Sequence, residues 1–262
     1  MRVTLLGTGG SAGVPTIGGT DGRGDWGICD PMQPRNRRTR ASILMQHNGF
    51  ALLVDTSPEL REQLVGNGVR RVDAVLYTHA HADHISGLDD VRILNRVANR
   101  PLEAFATPAT LDDLARRFDY AFRPWKPPGF FRPVLLPRPV LPGQVVVAGG
   151  MTVHVIDQDH GFTRSLGLRA GTFAYSTDAV GLDEAAFTTL EGIDTWVVGC
   201  FQRRVHQTHA WVGRVLEWVA RVRPRRTVLT HMGTDMDWAW LQAHLPPGME
   251  PGYDGMVIEV PE

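Results

Sequence analysis

Residues 78–90 read THAHADHISGLDD, with three histidines and an aspartate inside the six positions from His79 to His84. The stretch just before them, VDAVLY (72–77), is short, apolar and rich in Val, Leu and Tyr, the composition of a buried strand. The cluster therefore sits at a strand's exit, where a loop on a rigid frame can hold a site. The same address recurs down the chain. His160 follows MTVHVIDQD, Asp178 follows TFAYST and His231 follows TVLT. Neutral imidazole and carboxylate suit Zn²⁺, Mn²⁺ or Fe²⁺. The seven donors His79, His81, Asp83, His84, His160, Asp178 and His231 are too many for one tetrahedral ion and the right number for two. A binuclear centre is expected.

The chain around these residues alternates strands and helices. RVTLLG (2–7), ASILMQ (41–46) and FALLVD (50–55) read as strands, the last two joined through Asn48-Gly49 as a turn. In TSPELREQLVGNG (56–68), Ser57 as N-cap and Pro58 at the first helical position predict a helix. Helices are also expected over 88–100, 108–118 and 208–222, with strands over 102–107, 151–161, 165–170, 172–180, 194–199 and 226–231. The pattern predicts a single α/β domain over residues 1–262.

Composition narrows the function. With 43% hydrophobic and 21% charged residues in 262, the chain is ordinary globular material. A formal net charge of −1 supplies no global field for nucleic acid or an anionic membrane, so no stable nucleic-acid complex is expected. The apolar run at the N-terminus is too short for a signal-peptide core, and no stretch approaches a membrane span. A cytoplasmic protein is the expectation. Cys29 and Cys200 are too few for a disulfide framework.

Taken singly, each donor has an ordinary reading. A histidine after a strand is more often a surface residue, and Asp178 in STDAVGLDEAAF reads equally as a helix cap. Together they match a family. THAHADH fits the H-x-H-x-D-H signature of the metallo-β-lactamase superfamily, and Asp55, His160, Asp178 and His231 fall in order where its other motifs stand. The resemblance implies an αββα sandwich of two mixed sheets flanked by helices. It also implies that His79, His81 and His160 hold one ion, that Asp83, His84 and His231 hold the other, that Asp178 bridges them, and that Asp55 orients the metal loop without binding metal.

Two divalent ions about 3.5–4 Å apart lower the pKa of a shared water toward about 7, which makes hydrolysis the default chemistry. His209 matches the histidine that phosphodiesterases of the superfamily place near the leaving group, and it is the candidate general acid; His206 is a candidate substrate contact. LGTGGSAGVP, NRRTRAS and LTHMGTDMDW further resemble the phosphoribosyl 1,2-cyclic phosphate phosphodiesterases of phosphonate degradation, a branch similar to the tRNA 3′-processing nucleases. That branch carries a Cys-rich loop and a later histidine that hold a structural zinc. Here Cys29 stands alone and the later position is Thr234. A lone Cys cannot close a tetrahedral zinc site, so none is expected and Cys29 reads as a packed or loop thiol.

Among rivals, a β-lactamase is disfavoured by Asp178 and His209. A glyoxalase II-like thioesterase shares the donor set. Flavodiiron oxidoreductases place a glutamate where His81 stands, and a binding protein like that of pyrroloquinoline quinone synthesis would have lost ligands. The expected substrate is a small cyclic or nucleotide-like phosphodiester. Arg38 and Arg40, in the basic run Arg35–Arg40, are candidate phosphate contacts; the run reads equally as a solvated strand entry or a homodimer contact. PWKPPGFFRPVLLPRPVLPG (124–143), with seven prolines, cannot form a regular helix or central strand and reads as a rim over the site or a dimer arm. The glycines of GTGGSAGVP lack the pattern of a phosphate-binding nucleotide loop and are expected to permit tight turns beside the metals.

Overall fold

A computed structural model describes residues 1–124 and 134–261. The first six strands are β1 (Arg2–Gly7), β2 (Ser42–His47), β3 (Phe50–Val54), β4 (Ala74–Leu76), β5 (Leu102–Ala106) and β6 (Leu135–Pro139). The next seven are β7 (Val145–Ala148), β8 (Met151–Asp159), β9 (Arg164–Ala170), β10 (Phe173–Ser176), β11 (Thr195–Gly199), β12 (Arg226–Thr230) and β13 (Met249–Pro251). The last strand is β14 (Met256–Glu259). They form two seven-stranded sheets, ordered β14-β1-β2-β3-β4-β5-β6 and β13-β12-β11-β10-β9-β8-β7. Both are mixed: β3 to β6 run parallel, as do β10 to β13, and the remaining pairs are antiparallel.

The helices are α1 (Leu60–Gly66), α2 (Ala82–Ile85), α3 (Val91–Ala98), α4 (Pro108–Arg117), α5 (Glu184–Leu190), α6 (Val212–Val222) and α7 (Trp238–His244). Three buried clusters show how the layers stack. One lies between the sheets, with Ile43, Leu52 and Leu76 facing Val153, Leu168 and Val197. A second packs α1, α3 and α4 onto the first sheet through Leu60, Leu94 and Leu114, and a third packs α5 to α7 onto the second through Phe187, Val215 and Leu241. This is the expected αββα sandwich. Central strands such as β4 and β11 are buried along their whole length, which is why they read as continuous apolar runs.

Local signals misplaced some elements. The helix expected from Ser57 begins at Leu60, with Glu59 in the cap position. The cause is tertiary: Thr56 N–H donates to His84 O, Gly87 N–H donates to Thr56 O, and Ser57 Oγ donates to Gln63 Oε1. Residues 56–57 are thus committed to the loop after the histidine cluster. The helix expected from 208 starts at Val212, which leaves His206 and His209 in the preceding loop. Asp178 caps nothing; that position belongs to Asp183, whose Oδ1 accepts from Ala186 N–H. Within the proline-rich segment, residues 125–133 lie outside the described residues. Leu135–Pro139 forms β6 at a sheet edge, where a missing N–H is tolerated. Among the described residues, no helix is long and apolar enough to cross a membrane.

Candidate metal centre

Asp55, the THAHADH loop, His160, Asp178 and His231 leave β3, β4, β8, β10 and β12. These strands run in the same direction within their sheets, so their carboxyl ends bring the side chains to one edge of the sandwich, where α/β sheets hold ligands. Three overlapping groups result, each with its donor atoms within 4.8 Å of one another: His79, His81 and His160; Asp83, His84, Asp178 and His231; and His160, Asp178 and His209. Asp55, Asp178 and His231 sit at φ 64°, 49° and 53°, a left-handed conformation that costs a non-glycine residue about 1–3 kcal/mol and clusters at functional sites.

The imidazoles are aimed by partners on their outer nitrogens. His84 Nδ1 lies 2.7 Å from Asp55 Oδ2. Asp55 also accepts from Thr78 N–H at 2.7 Å and Thr78 Oγ1 at 2.8 Å. His160 Nδ1 donates to Thr208 O at 2.7 Å, and His79 Nδ1 is 3.0 Å from Thr78 Oγ1. Each arrangement turns Nε2 inward, as carbonyl or carboxylate partners do for metal-ligating histidines. His79 Nε2 and His160 Nε2 then lie 3.0 and 3.2 Å from His81 Nδ1.

Asp178 is the hub. Its Oδ1 is 3.1 Å from His209 Nε2 and 3.2 Å from His231 Nε2, and its Oδ2 is 3.1 Å from His84 Nε2. The Nε2 atoms of His84 and His231 are nevertheless buried without a properly directed hydrogen bond. An unsatisfied buried group costs about 1–3 kcal/mol. A cation held between these nitrogens and the carboxylates of Asp83 and Asp178 would satisfy both, so the residues present fit divalent metal.

Electrostatics agree with that fit. Burial holds His79 well below the ordinary histidine range, and also lowers His81 and His160, which leaves their lone pairs available. For His84 burial acts in the same direction, but Asp178, Asp55 and Asp83 outweigh it and raise the ring well above its usual value. Burial alone would raise Asp178 and Asp83; His231 and His84 hold the first well below the usual carboxylate range, and His84 and His231 lower the second. Asp55 is raised by its burial.

The donors open onto a cleft of about 350 Å³ lined by Ser11, His81, Asp83, His160, Phe162, Thr163, Asp178, Thr208 and His209. His209 stands in its wall, stacked on His231 and packed against Phe201, with Nδ1 2.9 Å from Thr208 Oγ1. His206 lies behind it, 5.0 Å from both Phe201 and His209, and its Nδ1 accepts from Thr208 N–H.

Arg38 requires correction. Its side chain is expected at the substrate, yet the residue is 2% exposed. Nη2 donates to Met236 O at 2.7 Å and Asn36 Oδ1 at 3.3 Å, beside the buried thiol of Cys29, whose Sγ donates to Thr234 O. Arg38 fastens the 29–38 loop to the turn after His231. Arg38→Ala would leave the buried Met236 O without this donor, while Asn36 Oδ1 keeps the Trp238 N–H, and a loss of about 1–3 kcal/mol, or roughly 2–12 °C in Tm by thermal denaturation, is expected. Arg40 pairs with Glu59 and donates through Nε to Ser11 O, so it reaches the cleft wall only through Ser11. Arg35 lies over Trp238 and Tyr253, and Arg37 over Trp26.

Ser11 lies in GTGGSAGVP, the loop expected beside the metals, but Phe162, Thr163, Thr208 and Phe201 had no motif to mark them. Nor had Asp254, which accepts from the N–H and Oγ1 of both Thr8 and Thr39. It braces the glycine loop, whose Thr8 O accepts from Met232 N–H beside His231. Close approach is what that loop requires: a Cβ on Gly10 would lie 2.8 Å from Phe201 Cε2.

Comparison with known proteins agrees with the geometry. The family model described as a beta-lactamase superfamily domain matches residues 51–232. A solved structure described as a new diphosphatase from the PhnP family superposes with a TM-score of 0.89 at 30% identity, covering 99% of this chain and 98% of that one. An octanoyltransferase of Porphyromonas gingivalis is 31% identical over 267 residues, covering 100% of this chain and 52% of its own length. A ribonuclease Z of a Bradyrhizobium species is 30% identical over 138 residues, covering 51% of this chain and 44% of its own length. The chain thus spans about half the length of these two relatives. It belongs to the metallo-β-lactamase superfamily and, within it, to the PhnP family.

Proposed function

We propose that residues 1–262 form one dinuclear-metal phosphodiesterase acting on a small cyclic or nucleotide-like phosphodiester. The carrying observation is the convergence of seven donors into overlapping clusters around Asp178, with the buried Nε2 atoms of His84 and His231 facing its carboxylate without a properly directed hydrogen bond. His79, His81 and His160 would hold one ion, Asp83, His84 and His231 the other, with Asp178 between them. Divalent ions held there, whether zinc, manganese or iron, would supply Lewis-acid charge and hydroxide at neutral pH.

The chain's own residues do the rest. Asp55 and the Thr208 carbonyl lock the His84 and His160 rings so that the donors are preorganised. Asp178 adds fixed negative charge on the inner wall. His209 lies in the cleft wall with Thr208 Oγ1 on Nδ1 and Asp178 Oδ1 3.1 Å from Nε2; an Nε2 proton released from that carboxylate can pass to a leaving oxygen. His206 supports the His209 ring from behind, and Arg40 stabilises the Ser11 wall.

The reading is tested by assaying the purified protein, with defined metal, against bis-p-nitrophenyl phosphate, cyclic nucleotides, ribosyl cyclic phosphate, S-lactoylglutathione and nitrocefin. Diester hydrolysis with about two ions per chain is expected. Thioester turnover without diester turnover would overturn it. His209→Ala is expected to keep both ions and to lose about 10²- to 10⁴-fold on diesters with poor leaving groups, but under about tenfold on p-nitrophenyl esters. Equal losses on both would refute the acid role.

A further inference from the structure

Phe162 lines the cleft beside His81, His160 and His209, yet the residue is 92% exposed. Core packing does not account for a large apolar ring in that position. The turn that carries it is tightly held. Asp159 Oδ1 accepts from Gly161 N–H at 2.8 Å, and His160 N–H donates to Thr163 O at 3.1 Å. Gly161 has φ 77°, and a Cβ there would lie 2.7 Å from Thr208 Cγ2, so the turn packs directly on the loop that carries His209. Thr208 O in turn accepts from His160 Nδ1. The ring is thus presented on a fixed base one turn from the metal donors, at the mouth of a cleft whose other walls are largely polar. An exposed apolar group beside convergent polar groups is the usual composition of a ligand site. A phenyl ring with an open face favours a flat aromatic partner.

We propose that Phe162 is a stacking platform that determines specificity, so that the site takes a phosphodiester bearing a nucleobase in preference to a base-free sugar phosphate. This rests on the phosphodiesterase reading above and narrows its substrate class. The phosphate lies over the metal donors, and the base lies outward on the Phe162 ring.

The test uses metal-loaded wild-type protein, Phe162→Ala and Phe162→Trp on a matched pair, adenosine 2′,3′-cyclic phosphate and 1-O-methylribose 2,3-cyclic phosphate. The two share the reacting phosphate and differ in the base. Phe162→Ala is expected to lower kcat/KM about 5- to 100-fold on the nucleoside, and less than about twofold on the base-free compound. Phe162→Trp should keep the wild-type preference. Equal loss on both substrates, or loss on neither, overturns the proposal. Calorimetric binding of AMP and ribose 5-phosphate gives a readout independent of turnover. Weakening of AMP alone in Phe162→Ala supports the platform; equal or absent weakening, or no AMP binding by the wild type, overturns it. If neither cyclic phosphate is hydrolysed but AMP binding depends on Phe162, the phosphodiesterase reading fails while the platform stands. Because the ring is exposed, Phe162→Ala should leave Tm within about 2 °C. A larger fall accompanied by a change in oligomeric state would assign the ring to packing between chains and overturn the proposal.

Discussion

Asp178→Ala is expected to reduce diester turnover by at least about 10³-fold and to bring bound metal below two ions per chain, measured by steady-state assay and atomic absorption. The expectation follows from the position of this carboxylate. It is buried, and three imidazole Nε2 atoms, of His84, His209 and His231, lie within 3.2 Å of its oxygens. Its Oδ1 also lies 3.7 Å from His160 Nε2, so this carboxylate reaches imidazoles of both proposed ion sites. Alanine also replaces a residue at φ 49°, so part of any loss in stability is backbone strain. Asp178→Asn separates the two effects, because asparagine tolerates that backbone and keeps the shape while removing the charge. If Asp178→Asn retained two ions and more than a tenth of the activity, Asp178 would not be the shared anion of the site.

Asp55→Ala is expected to have the largest effect on stability. The side chain is fully buried and accepts three hydrogen bonds, from Thr78 N–H, Thr78 Oγ1 and His84 Nδ1. Removing one partner of a buried charged arrangement costs about 3–5 kcal/mol, here roughly 6–20 °C in Tm. Freed from Asp55, His84 can rotate, and metal affinity should fall about 10- to 100-fold. Thermal unfolding with and without added metal checks both parts. The added metal should recover only some of the loss, since the Thr78 bonds remain broken whatever is bound. A variant with wild-type Tm and metal content would show that the His84 ring is held by its packing alone.

Much of this was legible along the chain. THAHADH stands just after β4, and the other donors each follow a stretch that reads as a strand, so residue type and strand position could be read together. The central strands were visible for the same reason: burial on both faces writes a continuous apolar run. Weak elements left less trace. β14 is four residues long and β13 three, too short for an apolar pattern to establish itself although Pro247-Gly248 and Asp254-Gly255 mark turns before them. The start of α1 was misread because Ser57-Pro58 carries a helix-start signal that the contacts of Thr56 with His84 and Gly87 override. The Arg35–Arg40 run shows the same limit. Four similar cations have three kinds of surroundings: aromatic faces for Arg35 and Arg37, carbonyl acceptors for Arg38 and a carboxylate for Arg40.

The amino-acid sequence alone determined the donor chemistry, the strand-exit position of each donor and the family, because these depend on residue type, local spacing and the order of motifs. Tertiary structure alone decided which donors share a cluster, which imidazole nitrogen faces inward, that Arg38 is sealed between two loops and that Phe162 stands at the mouth of the cleft. Those outcomes are set by contacts between residues far apart in the chain, such as His84 with Asp55 and His160 with Thr208. Such distances exist only once both sheets have packed, and no local pattern encodes them.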